Sequence, residues 1–265
     1  ASLDNYSTGF RKNQLADCTY TTLDITERFD NWIEKFDVIF HMAALPRIGP
    51  SFENPTEVVD VNVKGTVNVL EYARKTKTPV IYAGSSSFWG GVYKNPYTFS
   101  KWQGEELCKM YEMIYELPVT ICRFYNVYGD YMPTDGEYRT VLPIFLEQYK
   151  NGEPLTITGD GEQRRDFTHV DDIVDGFIKC GEAHLDVWGN KDVNGELFEL
   201  GRGKNYSVNE IASAFGENYP TKYIDARPGE MRETLCIDTK ASDIFGWNPE
   251  KDVVDFIKEN YILEK

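Results

Sequence analysis

The feature that most limits the folds open to this chain is an alternation of short apolar runs with longer segments of helical period. Phe36-Asp37-Val38-Ile39-Phe40-His41-Met42-Ala43-Ala44 reads as a buried strand running into a loop. Asn54 to Lys75 reads as a long helix, with Val59, Val63, Val67 and Leu70 at helical spacing. Pro79-Val80-Ile81-Tyr82-Ala83 is the next short strand, Tyr97 to Tyr115 the next helix, and Pro118 to Phe124 a third strand. Strand, helix, strand, helix, strand is the order of an α/β fold built on a parallel sheet with crossover helices.

The second half is less regular. A polar loop from Asp130 to Tyr138 precedes a helix from Val141 to Tyr149, the strand Leu155–Thr158, a helix from Val170 to Cys180 and the strand Leu197–Leu200. Ser207-Val208-Asn209-Glu210 is a capping box that opens another helix. The expected division is residues 1–130, with parts of 160–200, against a smaller lobe drawn mainly from 131–265, the two interleaved. Hydrophobic residues at 41% and aromatics at 14% are enough for a packed core.

Composition also excludes classes of function. A net charge of −15 repels nucleic acid and anionic membranes, so a phosphate-bearing substrate would need arginines placed against the global field. No apolar run approaches the roughly 20 residues of a membrane helix. Ala1-Ser2-Leu3-Asp4-Asn5 lacks the form of a signal peptide, which makes the cytoplasm the expected location. The five cysteines form no CxxC pair and the three histidines are scattered, so free thiols and no metal site are expected.

The chemistry is concentrated in Tyr97-Thr98-Phe99-Ser100-Lys101. A tyrosine and a lysine four apart share one helical face. A free phenol, with a pKa of about 10, is a poor base at neutral pH, and a nearby ammonium favours its phenolate. The pair can then exchange a proton with an alcohol. Alone, such a spacing describes any exposed tyrosine and lysine. Upstream, however, the strand Val80–Ala83 ends in Gly84-Ser85-Ser86-Ser87-Phe88-Trp89-Gly90. A serine at the C-terminal end of a parallel strand, where such sheets bind ligands, can hydrogen-bond the same alcohol.

Strand, serine turn and YxxxK helix in this order resemble the catalytic core of the extended short-chain dehydrogenase/reductase family. The likeness covers the whole chain and is nearest to its NAD-dependent nucleotide-sugar epimerases and dehydratases, of the UDP-glucose 4-epimerase type. It implies a Rossmann-like parallel sheet flanked by helices, with a smaller C-terminal α/β substrate lobe. Ser85, Tyr97 and Lys101 would be catalytic. Asp4-Asn5 resembles the end of the second strand, whose acid holds the adenosine ribose and favours NAD over NADP. Asp24 and Ile25 would contact adenine, Met42-Ala43-Ala44 would lie beneath the cofactor, and Asn62, Tyr97, Lys101 and Phe124 would complete the cofactor site. The resemblance assigns Ser85, Asn126, Thr140, Val141, Thr156, Arg165, Arg227 and Glu230 to the nucleotide sugar. Arg165 in Gln163-Arg164-Arg165-Asp166-Phe167 and Arg227 in Arg227-Pro228-Gly229-Glu230 would grip the diphosphate with planar, bidentate donors. Either arginine taken singly would read as a surface ion pair.

Two departures bear on these expectations. The family opens with a strand, a glycine-rich loop and a helix, about 30 residues, that precede the acid matched to Asp4; here three residues precede it. That reading makes the chain an incomplete frame, a processed fragment or a degenerate protein, puts NAD binding in doubt, and leaves strand edges that a second copy could cover in a homodimer. The stretch from Gly90 to Tyr97 is also short, and Phe88 and Trp89 stand where valine and tyrosine are common. The implied function is epimerisation of a nucleotide-diphosphate sugar, at C4, through a keto-sugar. A 4,6-dehydratase would carry a carboxylate at Ser86 or Ser87, which this chain lacks; a reductase, or a non-catalytic nucleotide-sugar-binding protein, are the other readings.

Overall fold

The computed structural model describes residues 1–29, 34–134, 136, 139–187, 192–226 and 231–262. Its strands are β1 (Ser2–Asp4), β2 (Tyr20–Thr22), β3 (Ile39–His41), β4 (Val80–Ser85), β5 (Val119–Phe124), β6 (Asn126–Tyr128), β7 (Leu155–Thr158), β8 (Arg164–His169), β9 (Leu197–Leu200), β10 (Asn205–Ser207) and β11 (Thr221–Ile224). Its α-helices are α1 (Ile48–Glu53), α2 (Pro55–Val59), α3 (Gly65–Thr76), α4 (Pro96–Tyr115), α5 (Val141–Asn151), α6 (Val170–His184), α7 (Val208–Ser213), α8 (Lys240–Phe245) and α9 (Val253–Ile257). The chain divides into two compact units, 1–122 with 180–197 and 123–179 with 198–265.

In the first unit β1 and β2 form a parallel pair, and β3 runs parallel to β4 in a sheet of order β3-β4-β5-β9. The division between units passes through β5 and the head of β9. All of β4 except Ser85 is buried, the mark of a strand covered on both faces. Leu70 and Ala73 of α3, Val80 and Tyr82 of β4, Cys108 and Tyr111 of α4, and Val119 and Ile121 of β5 make one core. This is the parallel α/β architecture that the alternation of apolar runs predicts.

The long helix predicted over 54–75 is realised in three pieces. Asn54 caps α2 by accepting from Glu57 N, Asp60–Lys64 widen into a π-turn, and α3 follows from Gly65. A π-turn inserts a residue into the helical ladder, and the residue at its centre is Asn62. Gly65 is required by close approach: a Cβ there would lie 2.6 Å from Ile25 Cδ1.

The second unit holds a three-stranded sheet, β10-β8-β6, in which β8 pairs antiparallel with β10 and parallel with β6. A separate parallel pair joins β11 to β7. Its core gathers Leu142 and Phe145 of α5, Leu155 and Ile157 of β7, Ile211 of α7 and Val253 and Ile257 of α9. The Ser207–Glu210 capping box forms in both directions. All five cysteines are free, and Cys122 and Cys180 lie 3.5 Å apart, sulfur to sulfur. Among the described residues no helix is long and apolar enough to cross a membrane, and no group of three or more acidic, histidine or cysteine side chains could hold a metal.

Candidate active site

Ser85 ends β4. It leaves the strand with φ −141° and ψ 133°, and its hydroxyl caps the short 3-10 turn Ser86–Gly90 by accepting from Ser87 N at 3.3 Å. The same oxygen lies 2.9 Å from Ser87 Oγ. Tyr97 reaches it from α4. That helix starts where it does because Asn95 accepts from Thr98 N at 2.8 Å and Pro96 fills the first position, whose N–H would have no helical partner. Tyr97 therefore stands in the first turn, and its hydroxyl donates to Ser85 Oγ at 3.2 Å.

Lys101, one turn later, is buried with Nζ 4.3 Å from the centre of the Tyr82 ring. Tyr82 fits beneath it because residue 104 is glycine: a Cβ there would lie 2.0 Å from the Tyr82 hydroxyl. Burial lowers the Lys101 ammonium to about 8, with Glu105 and Cys108 opposing the drop. Burial raises the Tyr97 phenol, while the hydrogen bond to Ser85 and the charge of Arg47 pull it down. The spacing of Tyr97 and Lys101 led to the expectation that the lysine lowers the phenol. In the structure the ammonium sits over the Tyr82 ring, and Arg47, in the loop after β3, is a further cation that pulls the phenol down.

Asn62 ties these pieces together. Its Oδ1 accepts from Leu45 N at 2.8 Å, and its Nδ2 donates to Leu45 O at 3.2 Å and to Ser100 Oγ at 2.9 Å. Ser100 in turn donates to Tyr97 O at 2.8 Å. The buried amide thus clamps the loop after β3 to the first turn of α4, which makes it a positioning residue. Below it, His41 Nε2 lies 2.9 Å from Thr66 Oγ1, and burial lowers the imidazole to about 3, so it is neutral.

Around β1 and β2 the residues are exposed and polar. Asp4 Oδ1 accepts from Tyr6 N at 2.7 Å, and Asn5 Nδ2 donates to Asp24 Oδ2 at 2.9 Å. Hydrogen bonds from Thr26 and then Asn5 hold the Asp24 carboxyl below its usual value. Ile25 is buried against Gly65, so its side chain is used for packing, and its backbone carbonyl accepts from Asn68 Nδ2 at 2.8 Å. Met42 and Ala43 are exposed and Ala44 is half-buried. An exposed carboxylate at a strand end, a polar Asn5–Asp24 edge and an apolar Met42–Ala43 strip suit the ribose, base and flat surfaces of a nucleoside, so these residues fit the adenosine part of NAD.

The remaining sequence-selected residues lie in the second unit. Phe124 packs edge-on against Phe177 with ring centres 5.1 Å apart. Asn126 Nδ2 donates to Asp166 O at 3.1 Å and Thr234 Oγ1 at 3.2 Å. Thr140 and Val141 form the entry to α5. Thr156 is clamped to Gln148, accepting from its Nε2 at 2.9 Å and donating its N–H to Oε1 at 3.0 Å. Arg165, on β8, donates to Arg164 O at 2.8 Å. Arg227 and Glu230 lie outside the described residues. A cavity of about 450 Å³ in this unit, lined by Arg164, Tyr206 and Glu210 among others, contains none of the selected residues, and the Arg164–Glu210 ion pair at 2.8 Å spans part of its wall.

Sequence reasoning missed Ser87, Ser100, Tyr82 and Arg47. It also missed Asp166, whose buried carboxylate gathers Arg202 N and Gly203 N, each at 2.9 Å, and Cys236 N at 3.1 Å. The run of three serines was a signal for Ser87; for the others the pairing is tertiary and leaves no mark on spacing.

Residues 1–194 match the model of the NAD-dependent epimerase/dehydratase family. A Methanocaldococcus jannaschii protein, provisionally named a UDP-glucose 4-epimerase, is 33% identical over 97% of this chain and 87% of its own length. A UDP-N-acetyl-alpha-D-glucosaminuronate decarboxylase of Bacillus cytotoxicus is 33% identical over 68% of this chain and 58% of its own. Among solved structures, UDP-glucuronic acid 4-epimerase from Bacillus cereus, in complex with UDP-glucuronic acid and NAD, superposes with a TM-score of 0.79 at 26% identity, covering 89% of this chain and 78% of that one. The family is one of NAD-dependent enzymes acting on nucleotide sugars. With its serine–tyrosine pair at the end of a parallel strand and this breadth of similarity, the chain belongs to the NAD-dependent epimerase/dehydratase family.

Proposed function

We propose that this chain epimerises a nucleotide-diphosphate sugar at C4 through a transient keto-sugar. The observation that carries the reading is the Tyr97 hydroxyl 3.2 Å from Ser85 Oγ at the C-terminal end of β4, with Lys101 buried one turn further along α4. NAD, when bound, supplies reversible hydride acceptance. The chain's own part is positional and protonic. Ser85 hydrogen-bonds the sugar hydroxyl, Tyr97 as phenolate removes its proton, and the same phenol returns a proton when the carbonyl is reduced. Asp4, Asn5, Asp24, Ile25, Met42–Ala44, Lys101 and Phe124 hold the cofactor, with Asn62 fixing the loop that lies beneath it. Asn126, Thr140, Val141, Thr156, Arg165, Arg227 and Glu230 hold the nucleotide sugar, and inversion requires that they keep the nucleotide fixed while the keto-sugar turns.

Serines at 86 and 87 favour epimerisation over a dehydratase reaction, since neither offers a carboxylate to remove water. The test is turnover of UDP-glucose, UDP-glucuronic acid and UDP-N-acetylglucosamine with added NAD, read by the C4 epimer in proton NMR. A C4 epimer formed by the parent and lost in Tyr97→Phe is the expected result. A 4-keto-6-deoxy product, a decarboxylated sugar or net reduction would replace the reading.

A further inference from the structure

We infer that the Ser87 hydroxyl is the third member of a hydroxyl chain, Tyr97–Ser85–Ser87, and sets the direction in which Ser85 presents its proton. The inference deepens the proposed function and rests on its acid–base role for Tyr97. It follows from counting donors and acceptors at one atom. A serine oxygen carries one proton and two lone pairs. At Ser85 Oγ the Tyr97 hydroxyl donates from 3.2 Å and the Ser87 N–H from 3.3 Å. Both lone pairs are then in use, and the Ser85 proton has to go to Ser87 Oγ, 2.9 Å away.

When Tyr97 gives up its proton in the substrate-free site the chain reverses; a bound sugar hydroxyl would then take over the Ser85 proton while donating its own to the phenolate. Ser85 turns its proton to the phenolate, which frees a lone pair that the Ser87 hydroxyl fills by donating. Ser87 is an acceptor while the phenol is neutral and a donor once it is charged. A hydroxyl rotor does both, because its hydrogen is free to turn. Donation into a chain that ends on an anion is the stronger arrangement, since each bond polarises the next. Ser87 therefore stabilises the phenolate more than the phenol, although it does not touch Tyr97. The geometry is local: Ser85 caps the turn in which Ser87 sits, so the backbone fixes the distance between the two oxygens.

The experiment compares the parent with Ser87→Ala, Ser87→Thr and Ser87→Cys. The Tyr97 phenol of each is titrated by near-ultraviolet phenolate absorbance, taken as the difference from the same protein carrying Tyr97→Phe. Ser87→Ala, which can neither accept nor donate, is expected to raise the midpoint by about half a pH unit, and Ser87→Thr to keep the parent's value. Ser87→Cys, a weak donor of similar size, is expected to fall between them and carries the test if alanine disturbs the turn. Turnover of UDP-glucose with NAD should fall roughly five-fold in kcat for Ser87→Ala with KM unchanged. Equal midpoints in parent, alanine and cysteine variants would overturn the inference. A midpoint raised in Ser87→Ala, beside a parent that converts none of the three UDP-sugars, would sink the proposed function and leave the hydroxyl chain standing.

Discussion

Lys101 gives the sharpest stability prediction, because the structure sets a charge inside the protein and the sign of its pH dependence follows. Its ammonium is buried over the Tyr82 ring, and burial lowers it from 10.5 to about 8. In the unfolded chain it returns to about 10.4. Between those values the unfolded chain holds a proton that the folded chain has released, so folded-state stability gained from this group rises with pH. Below pH 8 the lysine is charged in both states and its cost is constant. At 1.36 kcal/mol per unit the full swing is about 3 kcal/mol. Lys101→Met keeps the length and apolar bulk and removes the titration. The absolute stability gap at pH 7 mixes desolvation, the lost cation–π contact and the changed surroundings of Glu105. The change in that gap with pH is dominated by Lys101, whose charge also acts on Cys108 and His41. Urea denaturation of parent and variant from pH 7 to pH 10 should show the parent gaining about 2–3 kcal/mol on the variant, most of it above pH 8. A flat gap, or one that moves the other way, would refute the placement of a charged Lys101 in a dry site.

Tyr97→Phe should reduce turnover by about 100-fold or more with the far-ultraviolet circular dichroism unchanged, because it removes the proposed acid–base group and little packing. Asn62→Ala leaves the Leu45 N–H and C=O and the Ser100 hydroxyl without their shared partner, and should cost about 2–3 kcal/mol in urea denaturation. Asp166→Ala removes the acceptor for three backbone N–H groups; it should destabilise by about 3 kcal/mol or more, and an unchanged urea midpoint would contradict the buried carboxylate.

The legible parts of the fold are those where one physical rule decides. Val80–Ala83 is apolar, and Val119–Phe124 largely so, because both faces are covered, and the strands stand where the apolar runs are. Ser207 and Glu210 cap a helix through contacts three residues apart, which a sequence displays directly. The π-turn at Asp60–Lys64 is different, since nothing in Asp-Val-Asn-Val-Lys separates it from ordinary helix; it is held by the tertiary clamp of Asn62 on Leu45 and Ser100. β8 was equally hidden. Arg164-Arg165-Asp166-Phe167-Thr168-His169 is too polar to read as a buried strand, yet its last four residues are buried because backbone N–H groups satisfy Asp166 and because Phe167 joins the core. In the site, Ser85, Tyr97 and Lys101 are visible as spacing, but the direction of their hydrogen bonds is not.

That difference matters most for how Tyr97 would serve as the proposed base. A lysine four residues on suggests that proximity of charge lowers the phenol, and the structure divides the task. Burial works against the phenolate, raising Tyr97, and the same burial lowers Lys101, so packing alone would leave both groups closer to neutral. What opposes it at Tyr97 is the hydrogen bond it shares with Ser85, together with the charge of Arg47. A hydroxyl already in contact with the phenol oxygen need only rotate its hydrogen to stabilise the charge, so little reorganisation is required in a dry site. On this view Lys101 keeps its charge at neutral pH only because its pKa, although lowered to about 8, is still above it. A change that buries Lys101 more deeply would neutralise it before it touched Tyr97, and the acidity of the two groups should therefore respond to separate substitutions.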